Sequence, residues 1–304
     1  MAFFRVGSNP RYTAPAKNPV CDQYLARSSR TSHAMAGLGM ASVTVVATGD
    51  PGDAGDPGDP GDPGGLAAFA TEQALTRVDD RAQVPAEHFA LAIEAGCVAL
   101  FPPAARPDLG SLPLIIDFTE RAYARPLARK DTLARATGWK GGYRPPVVDL
   151  TAGLGRDAWA LAGGGCRVTA VERHPVVHRL LADALARAAA RPALASVAER
   201  ITLLGGDVLS DRPPALPVSA ETVWYLDPMF PLRKKSSLVK KPMRLFHHLV
   251  GDDTDATELF AWARRQAGAR WVVKRPPDAP TIDEARPGVE YRSGRLRFDA
   301  YLPR

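Results

Sequence analysis

From Val147 onward the chain alternates short apolar, β-branched runs with helix-forming runs, and no other feature restricts the fold as much. Strands separated by helices pair in parallel through right-handed crossovers. The strand candidates are Val147–Leu150, Cys166–Val171 ending at Glu172, Ile201–Leu204 ending near Gly206-Asp207, Thr222–Leu226 ending at Asp227, and Arg270–Lys274. Helices are predicted over about 157–163, over Pro175–Ala190, where Pro175 suits a first helical turn, and over about 254–267. The tail, Val289-Glu290-Tyr291 to Phe298-Asp299-Ala300-Tyr301, reads as a hairpin turned at Ser293-Gly294. The fold class is α/β, a Rossmann-like sheet.

In open α/β sheets ligands sit beyond the carboxyl ends of the strands. Four such ends carry polar or glycine residues: Asp149 with Gly153 and Gly155, then Glu172, Asp207 and Asp227. The two glycines permit positive φ and a close backbone approach, and Asp157 is placed to cap the next helix. A ligand at this turn meets free N–H groups and a helix N-terminus. Gly153 to Ala158 fits the dinucleotide pattern G-x-G-x-x-G/A, and Glu172 lies 19 residues after Gly153, where a carboxylate accepts from two ribose hydroxyls. NAD and S-adenosylmethionine (SAM) both present a ribose and an adenine, so this half of the sheet leaves the ligand open. Asp207 reads either as a partner for the adenine amino group or as a turn-former after Gly205-Gly206.

Asp227-Pro228-Met229-Phe230-Pro231 discriminates. It resembles the (Asp/Asn)-Pro-Pro-(Tyr/Phe) motif of SAM-dependent methyltransferases that modify exocyclic amines, with Met229 in place of the second proline. The amino lone pair of guanine or adenine is delocalised into the ring and is a poor nucleophile. Asp227 and a turn carbonyl can accept both N–H groups and aim the lone pair at a sulfonium methyl. Pro228 stiffens the turn, and Phe230 can stack on the base, typically worth ~1–3 kcal/mol.

A basic run follows: Arg233, Lys234, Lys235, Lys240, Lys241 and Arg244, with no acid between Asp227 and Asp252. Lys274 and Arg275 add charge at the same sheet edge. The net charge is +6, but residues 49–65 carry five aspartates and no cation, leaving +11 on the rest. Such a body fits a polyanionic partner, and beside a base-stacking motif it fits nucleic acid.

Residues 1–40 show little periodicity and read as a disordered extension, or as an over-extended start with Met35 or Met40 as the first residue. Residues 41–118 read as a small N-terminal α/β subdomain, and residues 119–304 as the larger domain. Ala41–Thr48 is a strand candidate, and Leu66–Leu75 a helix. Phe89–Ile93 and Val98–Phe101 form a hairpin turned at Glu94-Ala95-Gly96, and Leu112–Phe118 is a further strand. Glycine at every third position of 49–65, with aspartate after most of them, makes a flexible acidic linker. Residues 119–140 are predicted to be a basic helical stretch. Cys21, Cys97 and Cys166 are scattered and odd in number, which suits a reducing, cytoplasmic compartment. No metal-site spacing and no membrane span is found.

The segments VVDLTAGLGRDAW, CRVTAVERHPVV, YLDPMFPLRKKSSLVKKPMR, VVKRP and RFDAYL together resemble the bacterial ribosomal RNA small subunit methyltransferase J family, closely over 112–304 and loosely over 41–111. The resemblance implies SAM-dependent methylation of N2 of a guanosine in 16S rRNA, free or in the small ribosomal subunit. It implies cofactor contacts at Arg156, Asp157, Glu172, Arg173, Asp207, Val208 and Asp227. Where this chain has Asp207-Val208 the family often carries serines. The competing readings are DNA-adenine methylation, an NAD-dependent oxidoreductase and a non-catalytic RNA-binding protein.

Overall fold

The computed structural model describes residues 41–47, 65–121, 123–229, 241–294 and 296–303. Among these residues the strands form two sheets. The first holds β1 (Val43–Val46), β2 (Thr76–Val78), β3 (Phe89–Glu94) and β4 (Cys97–Phe101), in the order β2-β1-β3-β4. Helix α1 (Leu66–Glu72) covers it with Leu66, Ala67, Phe69 and Ala70 buried. The β3–β4 hairpin forms as the sequence predicts, with Ala95 and Gly96 at φ 49° and 75° in its two-residue turn. The acidic linker lies almost wholly outside the described residues, as do residues 1–40.

The second sheet is built by β5 (Val147–Asp149), β6 (Val168–Glu172), β7 (Ile201–Gly205), β8 (Val223–Leu226), β9 (Arg270–Arg275), β10 (Val289–Ser293) and β11 (Leu296–Tyr301). Its order is β10-β11-β9-β8-β5-β6-β7. Strands β9, β8, β5, β6 and β7 are parallel, and β11 runs antiparallel to both neighbours. The chain starts at β5, winds outward through β6 and β7, then returns to place β8 on the other side of β5. The crevice between β5 and β8 is therefore the switch point where a ligand is expected.

Between these strands run α2 (Thr132–Ala136), α3 (Arg156–Gly163), α4 (Pro175–Ala189), α5 (Pro192–Ala198), α6 (Lys241–Val250) and α7 (Ala256–Arg264), where α2 precedes β5. Helix α4 unites the two sheets. Its Val176, Val177, Leu180, Leu181, Ala184, Leu185 and Ala188 are buried at helical spacing. Its Asp183 accepts the backbone N–H of Val98 on β4 at 3.2 Å, and Arg187 donates to the carbonyl of Ile116. One hydrophobic core runs from Val45 and Phe89 to Val147 and Val272.

Two expectations are corrected. Residues 112–118 are not a strand. Only Leu114 bridges Leu100, through two backbone hydrogen bonds. Pro113 donates nothing, and the chain then turns away to pack Phe118 on Trp159, ring centroids 4.0 Å apart. The basic stretch 119–140 is helical only over Thr132–Ala136. Pro126 interrupts the rest, and Tyr123 instead packs edge-on against Phe118. Helix α5, strand β2 and helix α6 were not expected from the sequence.

Candidate active site

At the carboxyl ends of the parallel strands lies a cavity of about 820 Å³. Of the residues expected at the cofactor, Asp149, Gly153, Arg156, Asp157, Glu172, Arg173, Asp207, Val208 and Asp227 line it, with Pro228 and Lys274. Gly155 stands behind the wall. It precedes α3 at φ 71°, and a Cβ there would meet Leu181 Cδ1 at 2.6 Å and Phe118 Cζ at 3.3 Å. Glycine is required at 155 by packing and backbone conformation rather than by ligand contact.

The first turn is organised by two carboxylates. Glu172, the last residue of β6, accepts the N–H groups of Gly153 at 2.7 Å and His174 at 2.8 Å. It therefore fixes the glycine turn as well as facing the cavity, and burial pushes its carboxyl up to about 7. Asp149 accepts the Thr151 N–H at 3.0 Å. Burial, reinforced by Asp157 and Asp227, pushes Asp149 up to about 8. Thr151 in turn uses its hydroxyl oxygen to accept the Asp227 N–H at 2.6 Å, tying the β5 turn to the end of β8.

Asp157 does not cap α3, because Gly155 occupies the cap position and Asp157 falls inside the first turn. Its carboxylate accepts from Tyr225 and, at 2.8 Å, from the Lys274 ammonium, which also reaches Asp227 at 2.7 Å. Lys274 is thus a member of the pocket's charge network, with 18% of its side chain exposed, and not the RNA-facing cation expected from sequence. Arg275 is likewise buried and donates to the Pro280 carbonyl. Arg244 on α6 pairs with Asp108 at 3.4 Å, outside the cavity. Lys241 is the first residue of α6. Phe230, Arg233, Lys234, Lys235 and Lys240 lie outside the described residues.

The turn after β8 is held at its far side by Asp253, which sequence reasoning missed. Its carboxylate accepts the Met229 N–H, its own N–H donates to the Met229 carbonyl at 3.2 Å, and it pairs with Arg173. Arg173 also donates to Asp255. Although Arg173 lines the cavity, its guanidinium is therefore engaged by two aspartates. Asp207 turns back on its own chain, accepting the Leu209 N–H at 2.8 Å. Two α6 residues, Met243 and Phe246, complete the wall, with Phe246 Cζ at 3.5 Å from the Cβ position of Gly153. His174 is nearly fully buried, with both ring nitrogens unpaired among the described residues. Burial pushes it down to about 4, so it is neutral.

Carboxyl groups outnumber cations in the wall by eight to three, and by six to three without the buried Asp149 and Glu172, a balance that favours a cationic ligand. That chemistry suits a sulfonium cofactor with a free ammonium. A parallel sheet with one antiparallel insertion, a glycine turn after its first strand, and a carboxylate on a proline turn at its fourth define a SAM-dependent methyltransferase. The comparisons agree. Residues 81–303 match the family described as "Putative SAM-dependent methyltransferase". The crystal structure of a SAM-dependent methyltransferase from Neisseria gonorrhoeae is similar at TM-score 0.56 and 28% identity, covering 86% of this chain and 96% of that one.

Two relatives are more specific. The ribosomal RNA small subunit methyltransferase J of Pseudomonas paraeruginosa is 49% identical over 195 residues, covering 62% of this chain and 74% of the relative. That of Tolumonas auensis is 47% identical over 201 residues, covering 64% and 79%. The chain belongs to the ribosomal RNA small subunit methyltransferase J family.

Proposed function

We propose that the chain transfers a methyl group from SAM to the N2 amine of a guanosine in 16S rRNA, in the cytoplasm, on the free RNA or the small ribosomal subunit. The observation that carries this reading is the Asp227 carboxylate. It faces the cavity with 38% of its side chain exposed, on a turn pinned by Thr151 and Asp253 and beside the glycine turn that holds the cofactor. The names borne by the relatives support an RNA acceptor, as do the +11 charge outside the acidic linker and the basic run after Phe230.

SAM, when bound, supplies an electrophilic methyl on a sulfonium. The chain's own residues do the rest. The Gly153 turn and the N-terminus of α3 would receive the cofactor, with Glu172 available to its ribose hydroxyls and Asp149 and Asp157 to its cationic end. Asp227 and a turn carbonyl accept the two N–H groups of the guanine amine and aim its lone pair, so rate comes from orientation and charge placement. The sequence motif assigns Phe230 to stacking on the base. The amine proton leaves with or after the methyl transfer, and no strongly basic residue is needed.

Asp227→Ala is expected to cut methylation of 16S rRNA by on the order of 10²-fold or more while SAM still binds. Mass spectrometry of the rRNA and calorimetry with SAM check the two halves, and full activity would remove the role assigned to Asp227. Methyl transfer to DNA but not to rRNA would replace the substrate.

A further inference from the structure

Lys274 carries the one ammonium in the cavity wall among the described residues. The register places it: Leu226 of β8 pairs with Val273 of β9, so Asp227 and Lys274 are the next neighbours along the two parallel strands. The Lys274 ammonium lies 2.7 Å from Asp227 Oδ2 and 2.8 Å from Asp157 Oδ2, with the Tyr225 hydroxyl donating to that same Asp157 oxygen. Asp227 Oδ1 has no hydrogen bond among the described residues. The carboxylate is thus clamped by one oxygen and presents the other to the cavity.

The groups facing Asp227 are otherwise mostly unfavourable to its charge. Asp157 on α3, Asp149 at the end of β5 and Asp253 before α7 are carboxylates, and Tyr225 on β8 is held neutral by burial and by Asp157, Asp227 and Asp149. The Thr151 hydroxyl meets Asp227 at the backbone N–H and donates to Asp149 Oδ1 at 3.4 Å. An acid that must accept an amine N–H at its one free oxygen has to be ionised and correctly turned, and a single cation supplies both conditions here.

We propose that Lys274 is a positioning residue for methyl transfer: its ammonium, bridging Asp157 and Asp227, keeps Asp227 ionised and fixes its free oxygen toward the acceptor amine. This rests on the assignment of Asp227 as the amine acceptor. It predicts that Lys274 acts on the chemical step and not on cofactor affinity.

Two measurements on the full chain test it. The Asp227 carboxyl carbon is titrated by NMR in wild type and in Lys274→Met and Lys274→Arg. The pH–rate profile of 16S rRNA methylation is recorded for the same proteins with SAM saturating. In Lys274→Met the Asp227 titration and the acidic limb of kcat are expected to move up together by about one pH unit or more. At neutral pH kcat is expected to fall by on the order of 10²-fold, with SAM affinity held. Lys274→Arg, which keeps the charge, is expected to restore the titration and most of the rate. A lowered Tm with the titration and the limb unmoved would reduce Lys274 to a structural ion pair, and loss of SAM binding would assign it to the cofactor. The carboxyl titration needs no RNA, so it decides the pairing even where rRNA is the wrong acceptor, which would show instead as an inactive wild type.

Discussion

Asp149 is a carboxylate with no cation bonded to it among the described residues, buried to 2% exposure and flanked by two more acids. Its proton is therefore held in the cofactor-free protein to about pH 8, against about 4 in an unfolded chain. A group whose folded value is raised contributes stability that is present at low pH and lost as pH rises through the folded value. Between pH 6.5 and 8.5 the Tm of the cofactor-free protein is expected to fall, and Asp149→Asn to flatten that fall, as differential scanning fluorimetry reads directly. Cofactor binding should release a proton in the same range, visible as a buffer-dependent heat in calorimetry. The buried His174 and His178, both pushed down to about 4, act in the opposite sense and only below pH 6.5, where protonation of the unfolded chain removes their contribution. At the same scale, Thr151→Val removes the acceptor of the part-buried Asp227 N–H, and a loss of about 1 kcal/mol in stability is expected from thermal unfolding.

Among the elements, the glycine turn was legible because glycine has few other reasons to recur beside a buried strand, but its roles were only half legible. Gly153 lines the cavity and offers its N–H to Glu172, whereas Gly155 is fixed by Leu181 of α4, which lies across the core. Gly155→Ala is accordingly expected to destabilise the fold by about 1–3 kcal/mol and to weaken SAM binding through displacement of the turn, both measurable on purified protein. The five parallel strands and helices α3, α4 and α7 follow from period and β-branched content, because their burial is local to each element. Lys274 and Asp253 were misread or missed because their partners are 47 and 24 residues away in sequence. A lysine ending an apolar strand looks like a surface charge until strand order puts an aspartate beside it. The non-helical path after Phe118 was hidden for a related reason: the stacking of Phe118 on Trp159 and the edge-on packing of Tyr123 against Phe118 outcompete helix propensity.

The whole molecule separates its charge. The cavity wall is rich in carboxylate, while the chain outside the acidic linker carries +11. The net charge outside the linker is expected to attract an RNA substrate, and the carboxylate-rich wall a cationic cofactor. The RNA affinity is expected to fall steeply with salt, and Lys234→Ala with Lys235→Ala to reduce the log–log salt slope by about 1–2 while SAM affinity stays constant. Fluorescence titrations of a labelled 16S fragment at several salt concentrations measure the slope.

The mutual grip of Met229 and Asp253 has a consequence for how such a molecule can change. The turn after β8 is fastened to the residue that precedes α7, and α6 between them is itself anchored in the core by Leu245 and Leu249. Lengthening a chain segment between two fixed points costs only about 0.6 kcal/mol for each doubling of its length. A change of chain length between Met229 and α6 is therefore expected to leave Asp227 in its position beside the glycine turn.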